Sequence, residues 1–420
     1  MSALLRIALL SAWNRRLTLG LTLLSIALAV TLLLGVERSR VAARTSFAQS
    51  VSGTDLILGA RTSPVQLLLY SVFRMGGATN NIGWDSYQDV TRHPAVAWTI
   101  PIALGDSHRG FPVIGTNDAY FEHFRYGRGR ALELAEGRPF AGIFETVLGA
   151  EVARRLGYRL GESITLSHGS GELKVAEHGD KPFTVVGILA PTGTPVDHSV
   201  HVSLEAIEAI HLDWQGGAPM PGVQIAAEHV QKFDLSPKTL TAALIGLKNR
   251  AAVFKVQRHI NGYPDEPLLA VLPGVALDEL WRVVALVEQA LIGISVLVVA
   301  VGLAGLVAVI LASLGERRRE LAVLRSVGAG PRHILALLAL EGGAVTLAGM
   351  GLGLLLLKLL AWTAGPLLEA RLGLSLAIQG VTLAELKLLG AVALTGLAAS
   401  LLPAVLAYRR ALSDGLTPRL

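Results

Sequence analysis

The chain has no cysteine among its 420 residues. That absence excludes disulfide bonds and thiolate metal sites, and it is compatible with either side of a membrane. Charge is also scarce, since only 16% of the residues are Asp, Glu, Lys or Arg, whereas an ordinary soluble domain has about 25%. Together with a mean hydropathy of +0.52, this scarcity of charge indicates that part of the chain lies within a lipid bilayer.

Sequence motifs of common catalytic sites are missing as well. The nucleotide-binding pattern G-x-x-x-x-G-K-[ST] does not occur, so the chain does not cradle ATP by that route. The hydrolase pattern G-x-S-x-G and the zinc-protease pattern H-E-x-x-H are also absent. We therefore expect a non-catalytic chain with no cofactor of its own and no nucleic-acid partner.

Four stretches are long and apolar enough to cross a bilayer as helices, which takes about 20 residues each. They are residues 17–36, 290–314, 334–362 and 388–407. Only Glu341 and Lys358 interrupt the third stretch. The first stretch is too long for a signal peptide and lacks a small-residue cleavage site, so we expect it to be a retained anchor.

Arginine placement predicts the direction of the spans. Arginines are concentrated before the first span, after the second and after the fourth, at Arg6, Arg15, Arg16, Arg317, Arg318, Arg319, Arg325, Arg332, Arg409, Arg410 and Arg419. Short loops rich in Lys and Arg stay in the cytoplasm. Both termini and the loop after the second span are therefore predicted to be cytoplasmic, and residues 37–282 face the periplasm or the cell exterior.

These assignments divide the chain into seven segments. They are residues 1–36 (N-terminal interfacial segment and first span), 37–282 (outer domain with helical stalk ends), 283–314 (second span), 315–333 (cytoplasmic helix), 334–362 (third span), 363–385 (short outer loop) and 386–420 (fourth span and tail). In the outer domain, strand-like runs such as residues 183–189 alternate with helical pieces such as 145–156 and 204–211. This alternation predicts a mixed α/β domain.

Two features inside these segments are candidate functional elements. Glu341 lies within the third span, where an ionisable residue is a functional candidate by default, and we expect it to hold an arginine of the preceding loop. Residues 64–77 are unusually apolar for an exposed loop. Either Leu68, Leu69 and Phe73 belong to the core of the outer domain, or they contact the outer leaflet or an apolar ligand.

Histidine is the one metal-binding side chain used repeatedly, and ten of the eleven lie within residues 37–282. His198, His201 and His211 are close in sequence, with Asp197 beside the first. A metal site is one interpretation, and a polar domain that merely tolerates histidine is the other. If residues 199–202 form a strand, His198 and His201 lie on opposite faces, which counts against the metal.

A short amphipathic segment follows the second span. Its apolar side consists of Leu321, Val323, Leu324 and Val327, and its charged side of Glu316, Arg317, Arg318 and Glu320. Gly328, Gly330 and Pro331 then end the helix. Such a helix on the cytoplasmic surface is suited to docking in a groove of a partner, although consecutive arginines would also serve only to set orientation.

This segment reads Glu316-Arg-Arg-Arg-Glu-Leu-Ala-Val-Leu-Arg-Ser-Val-Gly-Ala. It closely resembles the signature of the FtsX-like, MacB-type permeases, which are also called type VII or mechanotransmitting ABC transporters. Residues 115–121, 136–140 and 183–188 are similar to the MacB-type periplasmic core, and residues 403–411 to the end of the last span. The resemblance implies four transmembrane helices in an all-α membrane part, with a large α/β periplasmic core domain between the first and the second.

The resemblance also implies partners and a function. The coupling helix would comprise Glu316, Arg317, Arg318, Glu320, Leu321, Leu324, Arg325 and Gly328. It would seat in a cytoplasmic ABC ATPase, two copies of which bind ATP and Mg. MacB carries a fused ATPase domain that has no counterpart here, so the ATPase is expected to be a separate protein. A second permease copy would complete a homodimer or, with a similar chain, a heterodimer in the lipid of the bacterial inner membrane.

Within that assembly the expected role is export or extraction of a substrate at the outer face, together with a periplasmic or outer-membrane partner. The alternatives are an FtsX-like signalling platform that activates a periplasmic enzyme, and a metal-linked transport role. A secondary transporter is disfavoured, because four spans with two charged side chains offer few polar groups for a midplane substrate site. The family's proline after the last span is replaced here by Ser413-Asp414-Gly415.

Overall fold

A computed structural model describes residues 16–169, 178–215, 218–220, 222–316, 330–372 and 380–413. The chain divides into two compact units. One is the α/β domain, Ala43–Val284, and the other, here called the helical unit, combines Met1–Ala42 with Ala285–Leu420.

The described residues form ten α-helices. They are α1 (Arg16–Gln49), α2 (Pro64–Phe73), α3 (Trp84–Thr91), α4 (Ala119–His123), α5 (Ala150–Leu156), α6 (Leu204–His211), α7 (Val253–Asn261), α8 (Pro273–Glu316), α9 (Pro331–Leu372) and α10 (Leu383–Ser413). Four stretches in α1, α8, α9 and α10 are long and apolar enough to cross a membrane, namely Arg16–Gln49, Pro273–Ala312, Arg332–Gly365 and Leu383–Pro403. Their number and order agree with the four predicted spans.

Glycines let α9 approach α1 closely within the helical unit. A Cβ added to Gly353 would lie 2.7 Å from the carbonyl oxygen of Ala27 and 2.9 Å from the Cβ of Val30. A Cβ on Gly349 would lie 2.8 Å from Cγ2 of Ile26. Small residues four apart allow such backbone contact between helices in lipid, where apolar side chains gain little by leaving their surroundings.

An ion pair connects α1 to the beginning of α10. Nε of Arg38 lies 2.6 Å from Oε1 of Glu385, whose side chain is 2% exposed. Glu385 also forms a reciprocal cap with Thr382: the Thr382 backbone N–H donates to Oε2 of Glu385 at 2.9 Å, and the Glu385 N–H donates to Oγ1 of Thr382 at 3.3 Å. The Glu385 carboxylate therefore caps the N-terminus of α10 and forms an ion pair with α1.

The α/β domain contains the eighteen strands of the described residues. They are β1 (Leu56–Ala60), β2 (Ile82–Gly83), β3 (Val96–Ile102), β4 (Asp106–His108), β5 (Phe111–Thr116), β6 (Arg125–Tyr126), β7 (Arg130–Ala131), β8 (Leu134–Gly137), β9 (Glu145–Leu148), β10 (Ser163–Ile164), β11 (Ser167–His168), β12 (Phe183–Leu189), β13 (Val200–Ser203), β14 (Trp214–Gln215), β15 (Ala218–Pro219), β16 (Thr239–Leu240), β17 (Ala242–Leu247) and β18 (Leu268–Val271).

Two larger sheets organise these strands. The first has four antiparallel strands in the order β18-β1-β17-β3. The second has eight strands in the order β10-β12-β9-β13-β5-β4-β11, with β8 beside β12. In this second sheet β9 runs parallel to β12, and β5 runs parallel to β13.

Strand β1 is apolar throughout because both faces of its sheet are covered. Ile57 packs in one core cluster with Leu67 and Leu68 of α2. Its neighbour Leu58 points the other way and packs in a second cluster with Val256 of α7. A strand buried on both faces has a continuous apolar sequence instead of an alternating one.

The helical part of the apolar segment 64–77, α2, packs in the core of the domain. Leu68 is fully buried, Phe73 is 7% exposed, and the half-buried Leu69 packs against the same cluster. Of the two interpretations of this segment, the structure therefore supports the one in which these three residues belong to the core of the domain. The reason is that α2 covers a sheet face, which buries most of the helix from Leu67 to Phe73.

The structure also differs from the prediction at residues 145–156, which were expected to be helical throughout. Residues 145–148 form β9 in the interior of the large sheet, between β12 and β13, and only Ala150–Leu156 is helix. Gly149 separates the two, because a Cβ there would collide with the carbonyl oxygen of Val196. The strand at 183–189 and the helix at 204–211 lie where they were predicted.

Candidate functional site

The candidate site lies at one edge of the large sheet, at the strand pair β4–β11. His168 in β11 is the cross-strand partner of Asp106 in β4. Residues directly opposite each other in an antiparallel pair project on the same face, so their side chains meet. The backbone N–H of Gly169 donates to the carbonyl oxygen of Gly105 at 2.9 Å and extends this pairing.

Two more histidines reach this place from other elements. His211 is the last residue of α6, a helix capped at its start by the hydroxyl of Ser203. His178 is held by its backbone N–H, which donates to the carbonyl oxygen of Leu166 at 2.8 Å. One ligand atom from each of Asp106, His168, His178 and His211 lies within 4.8 Å of the others. We call these four residues the histidine–aspartate cluster.

The atoms of three members are in close contact. Nδ1 of His168 lies 3.1 Å from Oδ1 of Asp106. Nε2 of His211 lies 3.4 Å from Nδ1 of His168 and 3.6 Å from Oδ1 of Asp106. The other ring nitrogen of His211 lies 2.8 Å from the carbonyl oxygen of Ile207. Because a carbonyl only accepts, Nδ1 of His211 carries a proton, and Nε2 is the atom that faces the cluster.

The cluster is buried on one side and accessible on the other. His178 is fully buried, and the Asp106 side chain is 3% exposed, whereas that of His168 is 38% exposed. Neither ring nitrogen of His178 has a hydrogen-bond partner among the described residues. Burial lowers the pKa of His178 to about 4, so its ring is neutral at physiological pH.

Asp106 is ionised and supplies the negative charge of the cluster. Burial disfavours its charged form, but the hydrogen bond with His168 and the nearby ring of His211 outweigh burial and lower the pKa of Asp106 to about 2. Burial likewise disfavours protonation of His211, yet the nearby negative charge of Asp106 raises the pKa of His211. Asp106 and His211 therefore each favour the charged form of the other.

An aromatic and a buried lysine border the cluster. The ring of Trp214 lies 4.1 Å from that of His178, centroid to centroid. Nζ of the fully buried Lys181 lies 2.8 Å from Oδ1 of Asp213 and 2.8 Å from Oδ2 of Asp180. The lysine charge is thereby compensated by carboxylates outside the cluster.

The three histidines singled out from the sequence do not come together. His201 is buried beside Tyr120, its Nδ1 lies 3.2 Å from the carbonyl oxygen of Val147, and burial lowers its pKa to about 3. The ring of His198 stacks on Phe111, 6.4 Å between centroids. Only His211 belongs to the histidine–aspartate cluster. Proximity in sequence fails here because the three histidines lie on different elements: His198 precedes β13, His201 lies within β13, and His211 ends α6.

Most of the predicted coupling helix lies outside the described residues: Arg317, Arg318, Glu320, Leu321, Leu324, Arg325 and Gly328. Glu316 is the last residue of α8. Glu341 lies half-buried in α9. Its pairing with an arginine of the preceding loop stays a prediction.

Two family comparisons together cover most of the chain. Residues 19–256 match the MacB-like periplasmic core domain, and residues 292–416 match the C-terminal domain of FtsX-like permeases. The chain belongs to the FtsX/MacB-type ABC transporter permeases. This permease is accordingly a membrane protein, and its α/β domain is the MacB-like core predicted from the sequence.

Solved structures similar to the permease include two extracytoplasmic domains. The periplasmic region of MacB from Actinobacillus actinomycetemcomitans is 10% identical, with a TM-score of 0.32 over 55% of this chain and 93% of that chain. The extracellular domain of the noncanonic ABC-type transporter YknZ from Gram-positive bacteria is 11% identical, with a TM-score of 0.30 over 52% and 99%. A comparison with curated protein sequences finds no match.

Proposed function

We propose that this permease transmits work from a separate cytoplasmic ATPase to its α/β domain at the outer face of the inner membrane. Two ATPase copies bind ATP and Mg, and two permease copies form the membrane part. The work serves export or extraction of a substrate in the periplasm. Both termini are cytoplasmic in this arrangement, which follows from the arginine distribution.

The length of α1 and α8 supports this proposal. At 1.5 Å per residue, helices of 34 and 44 residues are about 50 and 65 Å long. The hydrocarbon core of a bilayer is only about 30 Å thick. Each helix therefore has enough length to span lipid and to continue, without a break, into the residues of the α/β domain.

Inside the α/β domain the ends of the two helices pack on one another and on the core, and this observation carries the proposal. The ring of Phe47, from α1, lies 4.2 Å from Phe73 and 5.6 Å from Trp281 of α8, centroid to centroid. Cζ of Arg44 lies 5.3 Å from the Trp281 ring. Because packed interiors transmit displacement instead of absorbing it, movement of either helix end would shift α2 and the sheet behind it.

The cytoplasmic connection would be made by the coupling helix. Leu321 and Leu324, three residues apart, lie on one helical face and suit an apolar groove. Arg317 and Arg318 suit an acidic rim. A buried apolar anchor sets most of the affinity of an interface, whereas rim charges mainly tune association.

The test is co-purification of the permease with its cognate ATPase. The purified pair should hydrolyse ATP, and the permease alone should not. Leu324→Asp should lose the ATPase in pull-downs at unchanged membrane abundance, because a carboxylate cannot enter an apolar groove without a partner. Arg332→Ala, beyond the coupling helix, is the matched control and should retain the ATPase. Full co-purification with Leu324→Asp would contradict the docking role of this helix.

A further inference from the structure

We infer that the histidine–aspartate cluster is a binding site for one divalent transition-metal ion, preferentially zinc. The four ligands are Asp106, His168, His178 and His211 of the α/β domain. The inference goes beyond the proposed transport function and does not depend on it, because the site lies within one domain of one chain.

The spacing of the ligand atoms fits a zinc ion. Tetrahedral zinc with bonds of about 2.0–2.1 Å separates its ligand atoms by about 3.3–3.4 Å. Among Asp106, His168 and His211, the three pairs of ligand atoms are 3.1, 3.4 and 3.6 Å apart. The fourth ligand atom, from His178, lies within 4.8 Å of the other three, so a small movement of one ring closes the site.

The donor set selects the class of metal. Three imidazoles with one carboxylate are ligands of zinc and its neighbours in the first transition row, whereas calcium and magnesium take oxygen ligands. The four donors match the coordination number of zinc, and the single carboxylate leaves the bound ion with one compensating negative charge.

His178 is the independent observation that points to a ligand. Its side chain is fully buried, and neither of its ring nitrogens has a partner among the described residues. Buried polar atoms are nearly always hydrogen-bonded or bound to something. The contacts of Asp106 with His168 and His211 account for three members of the cluster, but they give His178 no role. A metal ion at the centre satisfies a His178 nitrogen as well.

The surroundings also suit a metal site. The bond from Nδ1 of His211 to Ile207 fixes the orientation of that ring, as outer partners of metal-bound histidines generally do. The ring of Trp214 packs against that of His178. The carboxylates of Asp180 and Asp213 compensate the charge of Lys181, which would otherwise repel the ion. The partly exposed His168 and His211 leave a path for entry.

The experiment measures metal content of the full-length permease, purified without a histidine tag and stripped with a chelator. Reloading with Zn²⁺ should give one ion per chain. Reloading with Co²⁺ should give the visible absorption bands of a tetrahedral site. His168→Ala, the change of the most exposed ligand, should weaken Zn²⁺ affinity more than about 100-fold, beyond the 10–100-fold typical of losing an outer partner. His178→Ala should have the same effect.

His198→Ala is the matched control, because it removes a histidine of the same domain that lies outside the cluster. It should retain both the ion and the Co²⁺ spectrum. Zn²⁺ should also raise the melting temperature of the wild type and the control, but not that of His168→Ala. No uptake by the wild type, or unchanged affinity and spectrum in His168→Ala, would overturn the inference.

Discussion

Gly353 brings two spans into backbone contact because it has no side chain. Its carbonyl oxygen accepts a hydrogen bond from the hydroxyl of Thr31 at 3.0 Å, and the same hydroxyl lies 2.8 Å from the carbonyl oxygen of Ala27. The contact thus combines close approach with a shared polar atom, as small-residue helix pairs in membranes commonly do. The neighbouring Gly351 has no atom within 4 Å of the position its Cβ would occupy.

We expect Gly353→Val to destabilise the helical unit by about 1–3 kcal/mol, the usual cost of forcing extra atoms into a packed interface. Gly351→Val should leave stability unchanged or slightly raised, since valine is a better helix former than glycine. The thermal transition of the detergent-solubilised permease, followed by circular dichroism, measures both. Equal melting temperatures would show that α1 and α9 are not held together at Gly353.

The structural role of some residues can be predicted from the sequence, and that of others cannot. The spacing Gly349–Gly353 within an apolar span has a local pattern and predicts helix packing. No local pattern marks Asp106, His168 and His178. The register of β4 with β11 pairs the first two, and the bond from the His178 backbone to Leu166 places the third beside them. Only a prediction of strand pairing would have found these ligands. His211 was noticed for its sequence neighbours, which turned out to be unrelated to it.

At the scale of elements, α2 shows how composition alone leaves two outcomes open. Its sequence PVQLLLYSVF is apolar nearly all round, which is typical of a helix that is either buried or in contact with lipid. Ser63 caps its start, and Arg74 ends it in the left-handed region at φ 58°. What decides the outcome is the cover that α2 provides for β1 and for the ends of α1 and α8, and no local pattern encodes that cover.

Leu68→Asp should therefore unfold or strongly destabilise the α/β domain, because it places an unpaired charge in a buried site. Met75→Asp is the control, since the Met75 side chain is 56% exposed just beyond the end of α2, and it should leave the domain intact. Limited proteolysis of the membrane-embedded permease, with thermal unfolding as a second measure, separates the two. A stable, protease-resistant Leu68→Asp variant would restore the interpretation of α2 as a membrane-contacting helix.

At the scale of the whole molecule, the four spans and the α/β domain follow from the sequence far better than the site does. Lipid imposes a local requirement, about 20 apolar residues per helix, which hydropathy detects directly. The mixed sheet is recognised as a class from its alternating runs. The strand order of the sheet cannot be recognised in this way. Strand β9 was predicted to be helical, which shows that a short apolar segment is ambiguous until its neighbours in the sheet are known.

The connection between these parts can be tested at Trp281. We expect Trp281→Ala to preserve ATP hydrolysis by the permease–ATPase complex but to abolish nucleotide-dependent movement of the α/β domains. The mutation removes the ring that joins the ends of α1 and α8, while the coupling helix is unchanged. Because the chain has no cysteine, a single cysteine at the exposed Lys255 allows one spin label per permease copy, and the distance between the two labels reports the movement.

Val283→Ala, two residues further along α8, serves as the control because the Val283 side chain is 68% exposed. It should keep both hydrolysis and the nucleotide-dependent change in label distance. The melting temperature of the α/β domain, measured for both variants, separates lost coupling from lost folding. If Trp281→Ala retains its fold and the label distance still changes with nucleotide as in the wild type, then the contact between the helix ends does not transmit the work. Transmission would then require a route through other contacts of the two helices.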